Sequence, residues 1–389
     1  TLVGAVTTTG NFTFSGQALT LETGNNRIGG AMSVTNAGVF KTLDVADLTV
    51  ANNFEQIGTG SVTLGDDVTS STGLVTFSKA VTLDSTDLIT ITSGEGSGDN
   101  IAFLSTITSN DNESLTLDAG ADGNIQATGA IDLGTGDLTI TDANNAFFSN
   151  QITAGRFTQA AGTGLTTLAE VLLSDDFAFT GEDLTINGWI DSDGSVTVTN
   201  AGNFTTLGNR YITADNGFTQ DGTGTSTIGG DITTTNAGIS FDTGVTLAYS
   251  AVVMTTGSGS GDITFNSTLN GGQDLDLTAG SGNITFTGAV GGVTRLDHVT
   301  VNDVTDVTIT AGMNAASLYF PDRVDNSTGG SGTFTLGGLL DVNDGDVVIS
   351  SDTVDLNASI RTTAGGASAS MIDITGGSGG VDLASTANM

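Results

Sequence analysis

Two short stretches hold the chain's densest sets of oxygen ligands. Asp191-Ser192-Asp193-Gly194 and Asp341-Val342-Asn343-Asp344-Gly345-Asp346 each gather carboxylates and amides around a glycine turn, the kind of loop from which calcium draws its oxygens. The residues expected to ligate calcium are Asp191, Asp193, Asp341, Asn343, Asp344 and Asp346. Neither stretch continues into a full EF-hand loop closed by glutamate. Gly94 to Asp99 and Gly257 to Asp262 approach the Gly-x-Gly-x-Gly-Asp opening of a calcium-binding repeat, but no tandem array follows. Calcium is thus the one cofactor the sequence suggests. Ordinary acidic turns account for the same residues, because Asp hydrogen-bonds the backbone around it.

Catalytic constellations are sparse. Any Ser-His-Asp or His-zinc chemistry would rest on His298, the chain's single histidine, which sits in Leu296-Asp297-His298-Val299-Thr300 and reads as an ordinary histidine beside a strand. Paired acids such as Asp66-Asp67 and Asp175-Asp176 could serve glycoside hydrolysis, yet both pairs fall in turn sequence. A lyase built on a β-helix would need acids with a nearby Arg or Lys, and the eight basic residues are dispersed from Arg27 to Arg361. Thr-x-Thr pairs such as Thr90/Thr92 and Thr139/Thr141 suggest an ice-binding hydroxyl ladder, but their spacing is irregular and Thr is simply a good strand residue. No catalytic residue is expected.

The elements carrying these residues are short strands. Val62-Thr63-Leu64, Val75-Thr76-Phe77, Val81-Thr82-Leu83, Leu138-Thr139-Ile140 and Ile284-Thr285-Phe286 alternate apolar residues with Thr, the period-2 pattern of a half-buried strand. Gaps rich in the 57 glycines, with Ser, Asn and Asp, read as turns, and there is a single proline, Pro321. Leu165 to Leu173 is the one plausible short helix, although the repeat around it favours strand. Strands this short, joined by turns this short, indicate a parallel β-helix of stacked coils rather than sandwiches or a propeller. At about 20 residues per coil the chain makes about nineteen coils, or a rod on the order of 90 Å at the usual strand spacing. Phe54, Phe157 and Phe218, each opening a Phe-x-Gln segment, are expected to form an internal column or a cap over it.

A longer period lies over the strands. Val34-Thr35-Asn36-Ala37-Gly38 returns 164 residues later as Val198-Thr199-Asn200-Ala201-Gly202, and Phe54-Glu55-Gln56 as Phe218-Thr219-Gln220. The copies are expected at about 12–176 and 177–340, with a partial third at 341–389, all within one continuous solenoid. Duplicating a unit extends length and surface more readily than it builds one catalytic centre.

Charge narrows the partners. With 43 acidic against 8 basic residues the net charge is −35, a field that repels nucleic acid, whose affinity rests on Lys and Arg, and favours solubility and divalent cations. No apolar run is long enough to span a membrane as a helix. The absence of cysteine leaves the redox compartment open.

The stretch from Leu275-Asp276-Leu277-Thr278-Ala279-Gly280 through Asn283-Ile284-Thr285-Phe286-Thr287-Gly288-Ala289, with its degenerate copy from Leu115 to Ile131, resembles the repeats of filamentous-haemagglutinin-like giant surface proteins of bacteria. The resemblance implies a right-handed parallel β-helix, export to the cell surface, and a role in adhesion, matrix or filaments, with no catalytic residue to carry over. The expectation is a non-enzymatic extracellular rod, stalk or filament that associates with itself, end to end or through further rungs of the same protein, and meets cell-surface glycans or other cells. A polysaccharide-processing β-helix enzyme is the alternative, and an ice-binding solenoid a more distant one.

Overall fold

A computed structural model describes residues 4–249, 251–320, 332–343, 345–363 and 371–384. Among these the protein is all β, with no helix, and its parallel strands stack as a β-solenoid of about 16 turns at roughly 22 residues each. The coils are longer and fewer than the strand spacing predicts. Corner loops explain the difference, as between Leu83 and Ile89 and between Thr92 and Ile101, where Asp-, Gly- and Ser-rich sequence extends the turn. No helix among the described residues is long and apolar enough to cross a membrane.

The fold divides into two compact units, Thr1–Ser192 and Asp193–Met389. In the first unit each coil lays down three strands, and each strand pairs in parallel with its counterpart one coil on. Val75–Phe77 pairs with Phe54–Gln56, and Val81–Leu83 with Val62–Leu64, residue for residue. The strand triplets alternate as the sequence predicts: Val62, Leu64, Val75, Phe77, Val81 and Leu83 are fully buried while the Thr between them faces out. Leu165–Leu168 and Val171–Leu173 are strands, so the repeat overrides the local helical reading.

Phenylalanines stack inside the solenoid, as expected, but in separate stacks. Phe54 lies 5.8 Å from Phe40 and 5.3 Å from Phe77, which in turn stacks on Phe103 at 5.2 Å. Phe157 belongs to another strand column, where it stacks on Phe177 at 5.0 Å. Phe218 sits in the second unit between Phe204 and Phe241, at 6.1 and 5.1 Å. Ring separations in this range suit offset and edge-to-face aromatic contact.

In the second unit Val196–Asn200, Phe218–Gln220, Ile239–Phe241, Ile263–Phe265 and Ile284–Phe286 form one parallel column. Later strands lengthen and turn a corner: Val347–Leu356 pairs through its first half with Met313–Phe320 and through its second with Thr333–Leu336. The 164-residue repeat persists inside the core. Gln56 donates to Asn36 at 2.7 Å in the first unit, and Gln220 to Asn200 at 2.8 Å in the second.

Candidate functional site

The chain's single histidine lies in a polar column on the outside of the second unit. Val299, on strand Leu296–Asp303, is in register with Leu275 on one side and Leu318 on the other, and all three are buried. Because strand side chains alternate, the residue before each points outward, which sets Asp274, His298 and Ser317 side by side. The backbone N–H of His298 donates to Asp274 Oδ1 at 3.0 Å, and its Nδ1 meets Ser317 Oγ at 2.5 Å. Asp297, adjacent in sequence, brings Oδ1 to 3.6 Å from Nε2. One oxygen from each aspartate and one ring nitrogen thus lie within 4.8 Å of one another.

Serine, histidine and aspartate therefore meet here, although the sequence makes His298 look like an ordinary strand-flanking residue. Only the register with Leu275 and Leu318 reveals the grouping. A Ser-His-Asp relay needs hydrogen bonds on both ring nitrogens, and the Asp297 contact at 3.6 Å is beyond that range. His298 and Asp297 are also 58% and 54% exposed, so the pair stands open to solvent rather than enclosed in a pocket. The arrangement suits ligation better than proton relay.

A second acidic cluster, Asp47, Asp66 and Asp67, brings its carboxylates within 4.8 Å in the first unit. Burial, with the neighbouring Asp47, raises Asp66 above the usual carboxylate range, against the pull of the Asp67 N–H. Burial and the Asp66 charge likewise raise Asp67, although Thr90 donates its backbone N–H to Asp67 Oδ1 at 2.6 Å. Of the paired acids weighed for glycoside chemistry, Asp175 is bound instead to Arg156 Nε at 2.9 Å.

The calcium ligands predicted from the turns do not fall in either cluster. Asp341 is buried and holds two guanidinium groups, Arg361 Nη2 at 2.5 Å and Arg295 Nη2 at 3.1 Å. Arg361 and Arg295 keep its carboxyl below the usual range despite burial. Asn343 is half-buried at the end of the same strand, Asp346 accepts the Met371 N–H at 2.8 Å, and Asp344 lies outside the described residues. Asp191 is half-buried on strand Ile190–Ser192, and Asp193 is exposed at the start of the second unit. The Gly94–Asp99 loop closes on itself, with the Gly96 N–H on Asp99 Oδ2 at 3.0 Å. It edges a polar cleft of about 430 Å³ that also includes Glu95, Thr92 and Asp118.

Tyr211 and Tyr249 are among the exposed aromatics of the second unit. Tyr211 lines a hollow of about 170 Å³ with Asn209, Arg210 and Asp231. Tyr249, 63% exposed with φ at +78°, packs over Gly208 and Gly229. A left-handed backbone at so bulky a residue is uncommon.

No family model, curated protein or solved structure matches the chain.

Proposed function

We propose that this protein is a non-enzymatic structural or adhesive component of the bacterial surface or extracellular matrix, serving as a rod, stalk or filament. One observation carries the reading: the repeat is copied down to a buried hydrogen bond, Gln56 to Asn36 and Gln220 to Asn200. What is duplicated is a way of stacking coils, and stacked coils supply length. The repeat style, similar to that of filamentous-haemagglutinin-like surface proteins, supports export. Parallel strands leave unpaired backbone groups at the last coil of a solenoid, which supports end-to-end self-association. The hollow beside Tyr211, with Arg210, Asp231 and Asn209, supports glycan contact, since sugars present apolar faces to aromatic rings and hydroxyls to charged and amide groups.

Negative-stain imaging of the native protein tests this. Isolated rods of fixed length fit a stalk and indefinite fibres fit a filament, whereas compact particles without elongation overturn both. Turnover of a polysaccharide that disappears when one acidic pair is replaced would restore the enzyme reading.

A further inference from the structure

We propose that Asp274, Asp297 and His298 form a binding site for a first-row divalent transition ion, with zinc as its best occupant. The geometry is close to a coordination set already. Zinc holds nitrogen and oxygen ligands at about 2.0–2.2 Å, so neighbouring ligands of a tetrahedral site stand about 3.3–3.6 Å apart. His298 Nε2 and Asp297 Oδ1 are 3.6 Å apart, and the three donors lie within 4.8 Å. Small rotations of the exposed Asp297 and His298 side chains towards the half-buried Asp274 close the remaining distance.

Ser317 gives the imidazole its orientation. Its Oγ lies 2.5 Å from Nδ1; with Nδ1 donating to that oxygen, the Nε2 lone pair faces Asp297. Metal-binding histidines are held in this way by an acceptor on the other nitrogen. The Asp274 carboxylate is positioned by the His298 N–H on Oδ1, and its second oxygen is available to an ion. His298 and Ser317, the acceptor that orients its ring, sit on paired strands, which hold side chains more exactly than loops do.

The donor set also selects the metal. Carboxylates alone favour calcium and magnesium, whereas one imidazole shifts preference to zinc, nickel or copper. Among the described residues the ion-pair partner of Asp297 is His298 itself, with no Lys or Arg bridged to either aspartate. A net charge of −35 raises the local concentration of any divalent cation. The site differs from the calcium turns read in the sequence in position, donors and preferred ion.

The single histidine makes the test unambiguous. Tag-free protein, ¹³C-labelled, is titrated with zinc chloride in a non-chelating buffer containing excess calcium, and the imidazole Cε1–H resonance is followed by NMR. Saturation of its shift at one equivalent is expected. Asp297→Asn and Asp274→Asn should each weaken binding at least about tenfold, and Ser317→Ala about tenfold through lost orientation, with the β circular dichroism spectrum unchanged. An imidazole resonance unmoved by several equivalents of zinc overturns the proposal. So does a shift of equal affinity in folded Asp297→Asn and Asp274→Asn, because zinc would then need only the imidazole. Should any variant lose its fold, calorimetry of the unmodified protein decides alone, by the presence or absence of a one-equivalent zinc isotherm that survives calcium.

Discussion

Gln56 donates its side-chain N–H to Oδ1 of Asn36, one coil earlier, at 2.7 Å and out of contact with water. The Gln56 Nε2 also reaches the Gly60 carbonyl at 3.2 Å, and its Oε1 accepts the Ser78 N–H at 3.1 Å. Asn36 completes the clasp by donating to the carbonyls of Gly38 and Ser61, at 2.7 and 3.1 Å. The Ser61 carbonyl and the Ser78 N–H also pair with the backbone of Phe40 and Gln56, each at 3.0 Å, so the two amides reinforce the strand ladder at the corner and, at the Gly38 and Gly60 carbonyls, supply a hydrogen bond to inward-facing backbone. Asn200 and Gln220 repeat the core of the arrangement, with Asn200 on the carbonyls of Gly202 and Thr225 at 2.8 and 3.2 Å.

Replacing Gln56 by Leu keeps the volume and strands the Asn36 oxygen and the Gly60 carbonyl. Leaving buried polar groups unpaired costs about 1–3 kcal/mol, so Gln56→Leu should lower the urea midpoint by that equivalent. Gln220→Leu should do the same in the second unit, and the double variant should show the sum, since the sites share no partners. Unfolding followed by circular dichroism checks this, and unchanged midpoints would show that the clasp contributes nothing.

The coil was readable from sequence because its physics is local. Val62-Thr63-Leu64 and its like declare an inside and an outside residue by residue, and the 164-residue echo points to Asn36 and Gln56 before their contact is known. What brings His298 beside Asp274 and Ser317 is register across coils. Register depends on how many residues each corner takes, and the irregular corners defeat a count made at a fixed period. The same irregularity hid the partners of Asp341: Arg295 and Arg361 stand 46 and 20 residues away in sequence and meet it only through stacking. Arginines that look dispersed along the chain converge on one carboxylate.

Gly60 tests the stacking itself. A Cβ built there would stand 1.5 Å from the Gly38 carbonyl oxygen, with backbone on the other side of the contact and nothing flexible to yield. Gly60→Ala should force the corners apart and cost about 1–3 kcal/mol or more, as overpacking does. Gly98→Ala, where no atom lies within 4 Å of the added carbon, serves as the control and should leave the urea midpoint close to that of the unmodified protein.

Asp66 predicts a gain in stability. Its carboxyl is raised by burial and by Asp47, with Asp67 also beside it. A raised acid contributes its stabilisation below the ordinary carboxylate value and loses it as pH rises through the native one, so at neutral pH the folded state bears the cost of ionising it. Asp66→Asn keeps the oxygen that accepts the Asp67 N–H at 2.9 Å and offers a donor to Asp47. The variant should melt at a higher temperature than the unmodified protein at pH 7, and the difference should vanish at pH 3. A lower melting temperature at pH 7 would contradict the assignment.

Asp341 should behave in the opposite sense. Hydrogen bonds from Arg361, then Arg295, hold its carboxyl below the usual range although burial opposes them. A depressed acid contributes stability that is fully present above its unfolded value, about 3.9, and is lost as pH falls through the lower native one. Asp341→Asn should therefore destabilise the protein at pH 7 by about 1–3 kcal/mol, the scale of hydrogen bonds to charged groups, while at pH 2 the variant and the unmodified protein should converge. Arg361→Gln should reproduce part of the loss, because Arg295 still contacts Asp341 through Nη2 at 3.1 Å. Thermal melts from pH 7 to pH 2 measure all three, and a gap between unmodified protein and Asp341→Asn that stays constant across the range would show that the ion pairs are not its cause.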